Sequence, residues 1–341
     1  MAANCAGLAA APGTKKARVE TDVGTEAGPA PVVPRSSADA AAYEHEHVHK
    51  VYSAIADHFS CTRYKAWPQV SSFLEGLPPF SLVADVGCGN GKYFAAAQRL
   101  ALTVPPYHVC TPGESLEMVS GQQGVAPPSP PLVPFAPAHR YVVGLDYSEE
   151  LLLCTQRQFL DPNLHHEQRR RRRFCGGHAK CEADVVATPV SVEELPRTDT
   201  VRSDALRCPL RSGVFDAAIS IAVIHHYASW ERRKRAVREL LRLVRPGGGR
   251  VLIYVWAREQ RGRTKRPFDS ETGDGLIRWE RHAKYAEERQ VFHRYYHFFA
   301  EGELEQLCKQ AGGDDGEGAI PVVISKSYYD KENWCVIVER C

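Results

Sequence analysis

Three glycines at alternate positions close a short apolar run in this chain of 341 residues: Ser81-Leu82-Val83-Ala84-Asp85-Val86 leads into Gly87-Cys88-Gly89-Asn90-Gly91. A strand that enters a glycine turn and then a helix opens a nucleotide-binding α/β fold. The fingerprint of dinucleotide sites is G-x-G-x-x-G, with a pyrophosphate on the helix N-terminus. Here the spacing is G-x-G-x-G, and Asp85 stands two positions before the first glycine. A carboxylate there repels a pyrophosphate and favours a ligand with an ammonium group. S-adenosylmethionine carries an ammonium and a sulfonium and no phosphate. Gly87, Gly89 and Gly91 let the backbone approach its methionine moiety with no Cβ in the way.

Two further acids follow in order. Asp146 closes Gly144-Leu145-Asp146, the end of a second strand, where a carboxylate can accept both ribose hydroxyl protons. Its distance from Gly91, 55 positions rather than about 20, is explained by a proline-rich insertion. Asp204, in Ser203-Asp204-Ala205-Leu206, is placed to accept the adenine amino proton, with Ala205 beside it and Ile221 at the end of a later strand completing the expected cofactor set. Any one acid alone reads as a solvated turn or a helix cap. Three in sequence, each near a strand end, point to a methyltransferase-type site.

These residues must be positioned by alternating elements. Apolar residues at helical spacing, Val48, Tyr52, Ile55 and Phe59 and then Trp67, Val70, Phe73 and Leu74, predict two helices joined by the loop from Ser60 to Lys65, with Pro68 in the first turn of the second. Strands are predicted at Tyr141–Leu145, Phe215–Ile221 and Arg250–Val255, with an amphipathic helix over Glu231–Val244 that stops at Pro246-Gly247-Gly248-Gly249. Toward the C-terminus a strand is predicted over His293–Phe299, a helix over Glu301–Gln310 and a last strand over Trp334–Glu339. The fold class is α/β, a mostly parallel sheet with helices on both faces. Residues 1–42, rich in Ala, Pro, Gly and Ser, read as a disordered tail. Residues 43–341 read as a single domain with insertions at about 100–138 and 161–200, the second holding five consecutive arginines, Arg169–Arg173.

Longer stretches resemble a known family. Tyr52-Ser53-Ala54-Ile55-Ala56-Asp57-His58-Phe59-Ser60, then Thr62-Arg63-Tyr64-Lys65 and Trp67-Pro68, are similar to the tRNA wobble-uridine carboxymethyl methyltransferases. So are the turn Val83–Tyr93, the stretch Ile219-Ser220-Ile221-Ala222-Val223-Ile224-His225-His226, and Arg245-Pro246-Gly247-Gly248 leading to Tyr254-Val255-Trp256-Ala257-Arg258-Glu259-Gln260. The family includes the fungal enzyme and the methyltransferase domain of the AlkB-type tRNA hydroxylase. The resemblance implies a Rossmann-like class I S-adenosylmethionine-dependent methyltransferase fold. It implies esterification of 5-carboxymethyluridine at the tRNA wobble position and a small zinc-binding activator subunit. The tail, the two insertions and the region from Thr264 to Ala286 depart from the family pattern.

The residue types suit that chemistry. A carboxylate is ionised at neutral pH and attacks a sulfonium methyl with no general base. The protein must bind the acid and align it. Arg63 and Lys65, on the predicted loop, are the candidate cations, with Arg63 orienting one carboxylate oxygen. His225 and His226 follow the fourth strand at the carboxyl edge of the sheet, one expected to line the substrate pocket and one to hold the loop. Trp67, Tyr254 and Trp256 are candidates to stack on a flipped uridine, and Arg258 to contact substrate.

Composition sets the remaining bounds. With 43% hydrophobic and 25% charged residues the chain is globular. No apolar run is long enough for a membrane span, and no secretory signal is read at the N-terminus. The formal charge of +2 hides its distribution: residues 225–300 hold 18 Lys and Arg against 9 Asp and Glu, which reads as a tRNA track. Eleven scattered cysteines fit a reducing cytoplasm better than a disulfide scaffold. Lys15, Lys16 and Arg18 add a weak nuclear address. Cys175, His178 and Cys181 have ligand-like spacing but no second ligand pair, so no metal is expected. Two other readings share the cofactor turn: a methyltransferase on a small molecule, and a non-catalytic RNA-binding adaptor.

Overall fold

The structure, a computed structural model, describes residues 36–63, 65–98, 140–159, 197–262, 265–281, 290–313 and 318–341. The two expected insertions fall almost entirely outside these residues, as do Arg169–Arg173, the Cys175–Cys181 cluster and all but the end of the expected tail.

The centre is a seven-stranded sheet of order β3-β2-β1-β4-β5-β9-β8. Its parallel part comprises β1 (Leu82–Val86), β2 (Tyr141–Asp146), β3 (Thr198–Arg202), β4 (Ala217–Ile221) and β5 (Gly249–Trp256). β9 (Asn333–Arg340) runs antiparallel to β5, and β8 (Val322–Asp330) antiparallel to β9. Side chains alternate across each strand. Val251, Ile253 and Val255 thus enter one apolar layer, while Leu252 and Tyr254 enter the other. The first layer is covered by α6 (Trp230–Leu243) and α7 (Glu303–Gly312), through Val237, Leu240, Leu304 and Leu307. The second is covered by α3 (Pro68–Glu75) and α4 (Phe94–Gln98), through Val70, Phe73 and Phe94. Helices on both faces match the expected class.

Local signals explain the helix ends. The Ser229 hydroxyl accepts the Arg232 N–H at 3.4 Å and caps α6. Pro68 occupies the first turn of α3, as expected. α5 (Glu149–Phe159) follows β2 and opens on Ser148, whose hydroxyl accepts the Leu151 N–H at 3.2 Å.

Four departures from the sequence reading stand out. Helix α1 spans Ser37–Glu44, so the chain is already helical ahead of Tyr43, within the segment read as tail. It continues through a π-helical turn, His45–His49, into α2 (Lys50–Thr62). Second, β3 occupies Thr198–Arg202, at the end of the segment read as an insertion. Third, β8 was not expected. Both strands lie on sheet edges and carry polar residues, which weakens the apolar signal. Fourth, the unfamiliar region near Thr264 supplies β6 (Asp274–Arg281), paired antiparallel with β7 (Gln290–His297) in a separate two-stranded sheet. Among the described residues no helix is long and apolar enough to cross a membrane.

Candidate active site

A cavity of about 570 Å³ opens at the carboxyl ends of β1, β2 and β4, where the strand order reverses and open α/β sheets bind ligands. Its two ends have opposite electrostatic character.

The acidic end is built by the glycine turn. The N–H groups of Gly87 and Cys88 both donate to the Leu145 carbonyl, at 2.7 and 2.9 Å, and lock the turn against β2. Gly87 has φ +82°, and a Cβ there would lie 2.3 Å from Val223 Cγ2, so this position needs glycine on two counts. Asp85 is 1% exposed, and its Oδ2 has no hydrogen-bond partner. Burial, reinforced by the nearby Asp146 carboxylate, pushes its carboxyl up to about 8. An unpartnered buried carboxylate oxygen calls for a cationic ligand group. Asp146 receives the Gly89 N–H at 2.8 Å on one oxygen and the Ser148 N–H at 2.9 Å on the other, which fixes its plane. Asp204 accepts the Leu206 N–H at 2.9 Å and lines the cavity together with Ala205 and Ile221. The set fits S-adenosylmethionine: Asp85 for the ammonium, Asp146 for the ribose, Asp204 and Ala205 for the adenine edge. Ala222, next along the wall, holds φ +63°, a strained conformation of the kind that concentrates at functional sites.

The opposite end is cationic. Arg63, Lys65, Arg266, Arg294 and Lys331 line it, and Lys92 stands between the two ends, close enough to interact with both Arg63 and Asp85. Lys65 is exposed at the mouth. Burial, then repulsion from Arg63, brings Lys92 down to about 8. Burial also lowers the Arg63 guanidinium, and Arg294 lowers it further. Arg266 pairs with Glu332 at 2.8 Å. Arg294, from β7, is 2% exposed.

The two histidines have different tasks. His225 Nδ1 accepts the Trp256 N–H at 3.0 Å, so its proton sits on Nε2, which has no partner. His226 Nδ1 lies 2.8 Å from the Tyr295 carbonyl and therefore donates, leaving Nε2 to accept the Tyr52 hydroxyl at 3.0 Å. His226 thus ties α2 to β7, and His225 keeps a free donor at the cavity wall. Burial holds both neutral, His226 at about 3 and His225 well below the usual imidazole range.

Of the residues singled out from sequence, Arg63, Lys65, Trp67, Asp85, Gly87, Gly89, Asp146, Asp204, Ala205, Ile221, His225, His226 and Trp256 share this cavity. Three do not line it. Gly91 shapes the turn, its N–H donating to the Cys88 carbonyl at 3.0 Å. Tyr254 lies in the core, with its hydroxyl 2.9 Å from that of Tyr328. Arg258 clamps the Phe298 and Thr272 carbonyls, each at 3.0 Å, and braces a loop rather than a substrate. Trp256 lines the cavity, but Tyr296 stacks on it at 3.9 Å and the Arg266 guanidinium sits 4.2 Å from its centroid. Its ring faces are taken, so it holds Arg266 rather than a base. The basic stretch 225–300 is also less available than its charge suggests. Arg232 pairs with Glu44, Arg242 with Glu239 and Arg245 with Asp216, while Arg233 and Arg238 donate to backbone carbonyls.

Sequence reasoning missed Arg294, Arg266, Lys92 and Tyr52 at this site. Tyr52 stood in plain view as a helix-face residue. Its 174-residue separation from His226 concealed the contact.

The sheet order and the acids at the ends of β1, β2 and β3 define a Rossmann-like class I S-adenosylmethionine-dependent methyltransferase. A family model described as a methyltransferase domain matches residues 124–252. The tRNA (carboxymethyluridine(34)-5-O)-methyltransferase of Schizosaccharomyces pombe is 33% identical, over 87% of this chain and 98% of its own length. The Saccharomyces cerevisiae enzyme of the same name is 26% identical, over 88% of this chain and 98% of its own. The Xenopus tropicalis enzyme is 32% identical over 88% of this chain, which spans only 42% of that longer relative. The chain belongs to the tRNA (carboxymethyluridine(34)-5-O)-methyltransferase family.

Proposed function

We propose that this chain esterifies the carboxylate of a 5-carboxymethyl group on the wobble uridine of tRNA, with S-adenosylmethionine as methyl donor. The observation that carries the reading is the bipolar cavity, with Asp85 and Asp146 at one end and Arg63 and Arg294 at the other. The names of the relatives supply the nucleoside.

S-adenosylmethionine, when bound, supplies a methyl group made electrophilic by its sulfonium. The protein residues bind and align. Asp85 holds the ammonium and Asp146 the ribose hydroxyls. Arg63 takes one carboxylate oxygen and leaves the other free to attack. No side chain has to remove a proton, because the acid is ionised at neutral pH. That agrees with two histidines held neutral, neither linked to a carboxylate through its ring. Trp67, at the cavity wall with Lys92 at 4.7 Å from its centroid, is the aromatic residue assigned to the base. The small zinc-binding activator and a cytoplasmic site of action with access to the nucleus belong to the same reading.

The test is incubation with tRNA from cells that lack the ester, with and without the activator, followed by nucleoside mass spectrometry. The methyl ester of carboxymethyluridine is the expected product. Its absence under both conditions overturns the reading, and methylation of a small molecule without tRNA replaces it.

A further inference from the structure

Arg294 is one of the largest fully buried side chains in the protein, at 2% exposure. Among the described residues no acid pairs with it. Its one hydrogen bond runs from Nη1 to the Tyr52 hydroxyl at a long 3.4 Å, and Nε and Nη2 have none. The guanidinium lies 4.5 Å from the Trp279 centroid and 5.3 Å from that of Tyr296. Cation–π contacts of this kind offset only part of the cost of desolvating a cation. Arginine does not escape that cost by deprotonating. A second guanidinium, Arg63, lies over the same indole at 5.6 Å. Two like charges share one aromatic plate and line one cavity, and no acid among the described residues pairs with either or figures among the groups that shift them.

We infer that Arg294 is the carboxylate receptor that makes the site selective for an acid over its neutral amide. The inference rests on the proposed esterification. A planar anion placed between Arg63 and Arg294 relieves their repulsion, and the oxygen that Arg63 holds also gives the unused donors of Arg294 an acceptor, so that the second oxygen stays free to attack. A phosphodiester continues as a chain on both sides of its anion and suits an open groove. A carboxymethyl group ends in its anion and suits a buried cation. A carbamoylmethyl group has the same shape but no charge, and it would turn an amide NH₂ toward a guanidinium. A site built around buried donors discriminates steeply against a ligand that leaves them unpaired.

Selectivity is read first on the unaltered protein. Calorimetry with 5-carboxymethyluridine and 5-carbamoylmethyluridine nucleosides, in the presence of S-adenosylhomocysteine, should favour the acid by at least about 100-fold. Equal affinities overturn the inference and leave the esterification untouched. The second measurement uses Arg294→Met, which keeps volume and removes charge. Its kcat/KM on carboxymethylated tRNA should fall at least about 100-fold. Cofactor affinity should stay within about twofold and the melting temperature should hold or rise, because an unpaired buried charge is gone. Arg294→Lys should recover part of the loss. A lowered melting temperature together with lost cofactor affinity would assign Arg294 a structural role. A variant that keeps its preference for the acid but shows a shallower salt dependence of tRNA binding would make it a phosphate contact. Either result overturns the inference. Failure of the unaltered protein to make the ester on tRNA, with or without activator, is a separate outcome that removes the underlying reading.

Discussion

The side-chain amide of Asn90 donates to the carbonyl oxygen of Arg63 at 3.3 Å. A second bond of the same length reaches Ser60. The residue between the second and third glycines of the cofactor turn therefore holds the loop that carries Arg63, the cation proposed to bind the substrate acid. Occupancy of the two ends of the cavity should be coupled. In Asn90→Ala the affinity for cofactor should no longer rise when tRNA is present, and kcat/KM should fall about tenfold, the effect of roughly 1.4 kcal/mol. Calorimetry with and without tRNA checks this, and undiminished coupling would free Arg63 from the turn.

Asp85 predicts a proton linkage. Its folded carboxyl sits at about 8, above the ordinary 3.8, so between those values the folded protein without ligand binds more protons than the unfolded chain. Stability of the ligand-free protein contributed by this group therefore falls as pH rises from about 4 to 8. Binding a cationic ammonium ionises the carboxyl and releases most of a proton at pH 7. Asp85→Asn should melt higher than the parent at pH 8 without ligand, bind cofactor at least about tenfold more weakly and release no proton. Calorimetry in buffers of different ionisation enthalpy measures the release.

Gly87 separates backbone strain from overlap. Gly87→Ala should lose about 1–3 kcal/mol from its positive φ and about 1–3 kcal/mol from the clash with Val223. Adding Val223→Ala should recover the second part only. Denaturant unfolding of the two variants reads the difference, and full recovery would show that φ carries no cost here.

The histidines should be silent to pH. Both are buried and neutral, so the imidazole resonances of His225 and His226 should not shift between pH 5.5 and 8, and kcat/KM should show no limb near the ordinary histidine value. A titration centred near 6.5 would contradict the assignment. His226→Phe, which removes the bonds to Tyr295 and Tyr52, should destabilise the protein by about 1–3 kcal/mol.

The cofactor half of the site was legible because its signals are local. Asp85 and its glycines are contiguous, and Asp146 and Asp204 each close or follow a strand. The substrate half was not. Arg294 sits in a run that reads as an ordinary basic strand, and only its pairing with β6 and its packing beside Trp279 bury it. Trp256 and Arg258 carried strong family resemblance, yet their side chains brace Arg266 and a loop. Sequence marks that a position matters before it says which atom the side chain meets. The edge strands β3 and β8 escaped because half-exposed strands need few apolar residues.

The opposed charges of the cavity also bear on how a turnover ends. On the proposed reaction a carboxylate becomes an ester and a sulfonium becomes a thioether, so both ligands leave with one charge fewer than they brought. Arg63 and Arg294 then face an uncharged group, and the buried guanidinium is again without a counter-ion. The same desolvation penalty that selects the acid disfavours the ester. On this reading the charge of the pocket itself favours release of the modified tRNA.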